Sequence, residues 1–174
     1  FTFDLMIKPE RAGNDMYVLS HGMDSINLRL GVTPDWHLAA FVGREMVISD
    51  EVVDFSDIRH VAYVFDAFEE KLETRITFYN DDRPIGQYTL KGLYEGHQPL
   101  YIGSEFKGEM LEARLWNRAM TSGELKSYAN KRLTGYELGL LDYYPMSEGR
   151  GEYVYDKAPG SNDLYLIGAT WKVI

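Results

Sequence analysis

The sequence predicts an all-β protein, a two-sheet antiparallel β-sandwich with one short helix. Aromatic residues make up 14% of the 174 residues, and 13 of them are tyrosines. Turn-forming residues recur about every ten positions, as they do in β-sandwiches. A single domain of residues 1–174 is expected, because this length suits one domain and no linker, low-complexity tract or repeat interrupts the chain.

The strands are predicted from alternation of apolar and polar residues between the turns. Residues 1–7 alternate and form the first strand; the others are predicted at 16–19, 25–30, 38–42, 45–48, 58–65, 75–79, 85–90 and 100–102. The segment 58–65 is apolar on both faces, which predicts a central strand. Gly43 and Arg44 predict a hairpin, and residues 80–84 predict a tight polar turn.

A last strand leads directly into the predicted helix. In this strand, Ala113 and Leu115 point one way, whereas Glu112, Arg114 and Trp116 point the other. The period of two therefore gives the strand two different faces, one apolar and one mixed.

The helix begins at a capping box. The Thr121 side chain accepts from the amide three residues on, and the Glu124 side chain reaches back to the Thr121 amide. Apolar residues follow at helical spacing as far as Leu133, and Gly135 is a plausible stop, so a helix is predicted near residues 122–133.

Charge and composition exclude several partners. The net charge of −9 argues against a nucleic-acid partner and against docking on an anionic bilayer. No apolar run approaches the ~20 residues of a membrane span, so no membrane insertion is expected. The chain has no cysteine, which excludes disulfides and thiolate metal sites. It begins at Phe1 and not at Met, so we expect a domain excised from a larger multidomain protein.

Residues 106–125 resemble a family motif, F-x-G-x-I-D-E-V-R-I-W-N-R-A-L-S-x-x-E-I. The matching residues are Phe106, Gly108, Glu112, Arg114, Trp116, Asn117, Arg118, Ala119 and Glu124. The segments 59–66, 75–86 and 138–171 resemble further strands and the tail of the same family, the bacterial laminin G-like (concanavalin A-like lectin/glucanase) domains. The resemblance implies a jelly-roll sandwich and an extracellular, cell-surface or periplasmic location. It leaves the activity open, because this architecture serves many functions.

The resemblance also makes an expectation about the chain ends. The family places the strand matched by residues 168–171 ahead of the strand matched by residues 1–7. We therefore expect the tail to pair within this sandwich and close it. The alternative is that the tail belongs to a following module.

Catalysis is not expected. Retaining glycosidases need two carboxyls ~5–5.5 Å apart, and relatives that hydrolyse glycans carry them in an E-x-D-x-x-E motif. This motif is absent, and His21, His37, His60 and His97 lack the spacing of metal ligands. A glycoside hydrolase remains a weak alternative.

No cofactor is predicted, and calcium is possible but disfavoured. Many relatives bind Ca²⁺, and the resemblance points to the aspartate of I-D-E-V as a ligand, but that position is Leu111 here. The remaining weak candidates are Asp81, Asp82, Asp50 and Asp54. Exposed acidic turns of this kind are usually only solvated.

Sugar recognition is the remaining functional signal, since glycan sites combine an aromatic platform with polar groups for the hydroxyls. Trp36 is the first candidate, together with its neighbours Asp35 and His37, in a predicted type I turn between strands. Packing of Trp36 on a neighbouring loop or domain stays open as the alternative. Tyr94 and His97 form a second candidate loop.

These observations predict a non-catalytic carbohydrate-binding or adhesion module, a lectin-like domain of a secreted or surface bacterial protein. Its expected partner is a glycan or a neighbouring domain of the same protein. The alternative is a structural spacer that packs on a neighbouring domain.

Overall fold

The computed structural model describes residues 1–21, 28–93 and 100–172, which form two stacked antiparallel sheets. The strands are β1 Thr2–Pro9, β2 Met16–His21, β3 Leu28–Val32, β4 His37–Val42, β5 Glu45–Val52, β6 Arg59–Phe68, β7 Glu73–Asn80, β8 Arg83–Lys91, β9 Leu100–Ile102, β10 Gly108–Trp116, β11 Leu140–Tyr144, β12 Tyr153–Val154 and β13 Leu164–Tyr165. Helix α1 spans Ser122–Ala129. The predicted antiparallel sandwich with one short helix is confirmed.

The six-stranded sheet has the order β11-β10-β1-β6-β7-β8, and the five-stranded sheet has the order β5-β4-β3-β2-β9. Strand β6 pairs with β1 on one side and β7 on the other, so the predicted central strand is confirmed. The Gly43–Arg44 hairpin joins β4 to β5, also as predicted.

The core lies between the sheets and follows the alternation of each strand. On β1, the inward residues Phe3, Leu5 and Ile7 are almost completely buried. The residues that meet them from the other sheet include Val18, Leu30, Val32, Leu38 and Ala40. Burying one face of each sheet in this way leaves two outer faces, and what covers each of them decides where a ligand can bind.

Helix α1 covers part of the outer face of the six-stranded sheet. Beneath the helix, Trp116 and Leu125 are buried in a second apolar cluster together with Tyr143 and Leu133. The predicted capping box is present: Thr121 accepts from the Glu124 amide, and the Glu124 carboxylate accepts from the Thr121 amide. Across the described ranges, no helix is both long and apolar enough to cross a membrane.

The predicted C-terminal end of this helix, near residue 133, is wrong. Helix α1 ends at Ala129, and the chain then runs without helical structure to Thr134. The reason is the buried guanidinium of Arg114, which donates to the carbonyls of Tyr128 and Lys131 at 2.9 and 3.0 Å. These two bonds pull the chain onto the sheet, so the next turn of helix does not form.

A buried polar network underlies the same face. The Asp4 carboxylate accepts from His60 Nε2 at 2.8 Å and from Trp116 Nε1 at 2.7 Å, and the Arg114 guanidinium lies 3.7 Å away. All four residues are buried. A buried carboxylate is tolerated only when it is paired in this way, so the network fixes β1, β6 and β10 relative to one another.

The expectation that residues 168–171 pair as a strand within the sandwich is wrong, because these residues form no strand. Strand β1 is already paired on both sides, by β6 and β10, so it has no free edge. The tail forms instead a small ladder in which β12 pairs with β13. Its apolar residues still pack against the main core; they include Leu164, Leu166 and Trp171.

Candidate functional site

The outer face of the five-stranded sheet carries aromatic side chains that no other layer covers in the described part of the chain. Leu30, Leu38 and Ala40 face the core, so the residues between them on β3 and β4 face outward. The ladder places Arg29 opposite Phe41 and Tyr17 of β2 opposite Gly31. Together with Ala39, these residues make up what we call the platform: Tyr17, Arg29, Gly31, Ala39 and Phe41.

The platform rings form a defined cluster. Tyr17 and Phe41 meet edge to face, with ring centroids 5.5 Å apart and an interplanar angle of 76°. The Arg29 guanidinium lies 4.9 Å from the centroid of the Tyr17 ring. A cation held over an aromatic face has a fixed position, so its remaining N–H donors are available to a ligand in a defined direction.

Small residues lie beneath these rings. Gly31 of β3 is opposite Tyr17 on one side and Ala39 on the other. Strands β3 and β4 therefore place only small residues at the centre of the platform. A Cβ on Gly31 would lie 2.2 Å from the carbonyl oxygen of Met16, so the close approach of β2 and β3 requires glycine here. Gly31 and Ala39 are themselves buried, so the two rings and the guanidinium form the outer surface above them.

The border of the platform is apolar on one side and hydroxylated on the other. Ile48 is opposite Ala39 and Met46 is opposite Phe41, and these side chains are 37% and 46% exposed. On the other side, Ser20 Oγ lies 3.1 Å from Ser104 Oγ, and Ser20 is opposite Tyr101. Rings, a cation and hydroxyls close together are the groups that recognise a pyranose.

The predicted site residue Trp36 lies in a tight hairpin between β3 and β4. Its amide donates to the Thr33 carbonyl at 3.0 Å, which closes the turn around Pro34 and Asp35. Trp36 then has a φ of +70°, in the left-handed region. A β-turn followed by a left-handed residue is a common three-residue hairpin, but that position usually holds glycine. A tryptophan therefore stands where the backbone is strained.

The Trp36 side chain packs inward. Its ring meets Phe55 with centroids 5.6 Å apart, and it is a partly buried neighbour of the main core. The Trp36 carbonyl accepts from the Val53 amide at 2.9 Å. Of its neighbours, Asp35 is exposed, and the His37 ring binds the Ser49 carbonyl through Nδ1 at 2.7 Å. His37 alternates with Leu38, which places it on the platform side of β4.

The second predicted loop, with Tyr94 and His97, lies outside the described residues. The strand that follows it begins at Leu100, which pairs with His21. Trp36 follows Val32, which pairs with Met16 at the other end of β2. Because Met16 and His21 are separated by roughly 17 Å along the strand, Leu100 enters the sheet far from the Trp36 hairpin.

The weak metal candidates Asp50 and Asp54 are engaged by neighbouring groups. The Asp50 carboxylate accepts from the Tyr88 hydroxyl at 2.5 Å. Asp54 accepts from the Ser56 amide at 2.9 Å, and this hydrogen bond is the main reason why the Asp54 pKa lies below its ordinary value. Arg59 lies 3.9 Å from the same carboxylate. Both aspartates therefore serve local hydrogen bonds.

The other two metal candidates occupy the turn between β7 and β8. The Asp81 amide donates to the His60 carbonyl at 2.9 Å, and the Asp82 carboxylate lies 4.0 Å from Lys126 Nζ. Outside the undescribed segments 22–27, 94–99 and 173–174, no group of three or more His, Asp or Glu side chains could hold a metal ion.

Sequence reasoning missed the platform. One signal was available: with Leu38 and Ala40 inward, the period of two already turns Phe41 outward. The partners of Phe41 had no such signal, because Tyr17 and Arg29 reach it only through the register of three strands.

Solved structures with a similar fold include domains that bind glycans, although no family model and no curated protein matches the sequence. A candidate carbohydrate binding protein from Bacteroides ovatus ATCC 8483 has a TM-score of 0.70 at 22% identity over 92% of this chain. The chain spans about half of that protein, 49%.

Two further structures have the same sandwich. The heptameric SAP-like pentraxin of Limulus polyphemus has a TM-score of 0.54 at 20% identity, covering 74% of this chain and 69% of the pentraxin. The Ruminococcus gnavus IT-sialidase CBM40 bound to α2,3 sialyllactose has a TM-score of 0.54 at 14% identity, covering 72% of this chain and 80% of the CBM40. At these identities the likeness shows the fold, and the chain is an antiparallel jelly-roll sandwich.

Proposed function

We propose that this domain is a non-catalytic carbohydrate-binding or adhesion module of a secreted or cell-surface bacterial protein, of the laminin G-like kind. The observation that carries the proposal is the platform itself. Tyr17 and Phe41 meet edge to face on an outer sheet face, Arg29 lies over the Tyr17 ring, and the bonded hydroxyls of Ser20 and Ser104 are at the border. The comparisons support it, since one similar fold is a candidate carbohydrate binding protein and another is a CBM40 bound to α2,3 sialyllactose.

The platform suits binding better than hydrolysis. Glycoside hydrolysis uses a pair of carboxyl groups on either side of the scissile bond. The platform residues, as described, include neither Asp nor Glu. Their rings and guanidinium can bind the apolar face and the hydroxyls of a sugar, but they offer no acid or nucleophile.

The residues predicted from sequence enter this proposal with different roles. His37 and Asp35 are proposed to border the platform at the Trp36 hairpin. Trp36 is proposed to support that hairpin from the core side. Tyr94 and His97 stay proposed ligand contacts.

A glycan array with the isolated domain tests the function, and affinity electrophoresis of single variants then tests the site. Phe41→Ala and Tyr17→Ala are each expected to weaken glycan binding about tenfold, because a stacked ring contributes ~1–1.5 kcal/mol. The matched control is Tyr136→Ala, which removes an aromatic ring that is 83% exposed and lies outside the platform.

Two results would contradict the proposal. One is a glycan that binds equally well to the wild-type domain and to Phe41→Ala. The other is turnover of a polysaccharide that a single Asp or Glu substitution abolishes, because it would show a hydrolase.

A second candidate function, a spacer that packs on a neighbouring domain, has an observation of its own. Leu138 and Tyr136 are 84% and 83% exposed in one loop after α1. Large apolar side chains this exposed suit an interface with another domain. If the spacer function is correct, no glycan binds, and Leu138→Ser weakens association with the flanking domain while the isolated domain keeps its stability.

A further inference from the structure

A groove of ≈ 380 Å³ lies on the outer face of the six-stranded sheet, next to the C-terminal end of α1. Met6 of β1, Glu112 of β10 and Tyr143 of β11 line its floor. The volume lies in the range of about 300–1,000 Å³ that is typical of small-molecule sites. This groove is on the opposite sheet from the platform, so it would be an independent site.

One wall of the groove is the segment Asn130–Arg132, and buried contacts hold that segment in place. Arg114 is 2% exposed and donates to the Tyr128 and Lys131 carbonyls. Its Nε also donates to Glu112 Oε1 at 2.5 Å, which ties the wall to the floor. A site held this firmly loses little conformational entropy when a ligand binds.

The charges of the groove are unusual for so acidic a chain. Lys131 and Arg132 line the wall with exposed side chains, and neither forms a salt bridge with any described residue. Arg114 already compensates the Glu112 carboxylate. The groove is therefore locally positive, although the chain has a net charge of −9.

The Glu112 carboxylate in the floor restricts which anions the groove can bind. Within the described ranges, hydrogen bonds reach only Oε1 of Glu112, so Oε2 can still accept from a ligand. A compact dianion such as sulfate has no hydrogen-bond donor and leaves this acceptor unpaired. A ligand with an anionic group at one end and hydroxyl donors at the other can pair with Lys131 and Arg132 and also donate to Glu112. Met6 and Pro145 add apolar surface for a ring.

We propose that the groove binds an acidic sugar residue of the uronate class. Its carboxylate would pair with Arg132 and Lys131, and a ring hydroxyl would donate to Glu112. The inference rests on the proposed carbohydrate-binding function and adds a second site to it, with its own ligand class.

Titration calorimetry with glucuronate, glucose and sulfate at low salt tests this inference. Glucuronate is expected to bind about tenfold or more tightly than glucose or sulfate. Arg132→Ala should abolish this preference, and Lys131→Ala should weaken it. Arg150→Ala removes an exposed arginine outside the groove and serves as the control, and Phe41→Ala should leave glucuronate binding unchanged.

Each alternative result has a distinct meaning. If sulfate binds as tightly as glucuronate, the groove is only a cationic patch and the inference is wrong. It is also wrong if glucuronate binds no better than glucose. If array glycans bind through Phe41 while glucuronate fails, the platform proposal survives alone. If glucuronate binds through Arg132 while no glycan depends on Phe41, only the platform proposal fails.

Discussion

Replacing Trp36 should reverse the usual stability order of alanine and glycine. Trp36 has a φ of +70°, a backbone conformation that costs an L-residue about 1–2 kcal/mol and glycine almost nothing. Both substitutions remove the same ring and the same contact with Phe55. The difference between the two variants therefore isolates the backbone strain.

The magnitude follows from two opposing effects. Glycine gains about 1–2 kcal/mol over alanine from the relief of strain at this φ. It loses about 0.5–1 kcal/mol because it is more disordered in the unfolded chain. Trp36→Gly should thus be more stable than Trp36→Ala by ~1 kcal/mol. Both should be less stable than wild type, since removing a half-buried Trp costs part of the ~3–5 kcal/mol of a buried one.

Urea denaturation of the variants, analysed by linear extrapolation, measures these differences. Thr89 is an exposed residue in β8 opposite Arg75, and it supplies the control position. There, Thr89→Gly should be less stable than Thr89→Ala by ~0.5–1 kcal/mol, which is the ordinary order. The strain argument fails if alanine is also the more stable of the two at Trp36.

Three other predictions concern the helix, a buried acid and calcium. Thr121→Ala should cost ~1 kcal/mol in urea denaturation, because it removes the side chain that accepts from the Glu124 amide. Burial, and then the charge of Asp156, raise the pKa of Asp142 above its ordinary 3.8, so ionising Asp142 opposes folding as pH rises above that value. Asp142→Asn should therefore be more stable than wild type at pH 7. Melting curves at several pH values should show that this difference in stability decreases toward pH 3.8. A chelator should leave the melting temperature unchanged; a saturated calcium site would add ~2.7 kcal/mol, so a drop of many degrees would reveal one.

Local signals predicted the elements of this fold, whereas long-range contacts decided where two of them end. The capping box is contained within four residues, so its pattern located the start of α1 correctly. The end of α1 depends on Arg114, a residue that lies on a strand preceding the helix. The path of the tail depends on the pairing of β12 with β13 and on contacts with the main core, which no local pattern indicates.

The same distinction applies to the candidate site. Trp36 stood out because a large aromatic residue at a turn is visible in the sequence, and the structure places its ring on Phe55. The platform is assembled across three strands, so Tyr17 and Arg29 are separated in the sequence and adjacent only in the ladder. A site built from cross-strand neighbours requires the register before its members can be recognised.

The position of helix α1 explains why the two proposed sites on the outer faces of the sheets differ in shape. Arg114 holds the end of α1 on the six-stranded sheet, and Trp116 is buried beneath the helix. A groove remains open at the end of the helix, and the charged segment Asn130–Arg132 forms one wall of it. No helix covers the five-stranded sheet over the described residues, so Tyr17 and Phe41 form part of its outer surface, and the proposed platform lies on that sheet while the proposed groove site lies on the other.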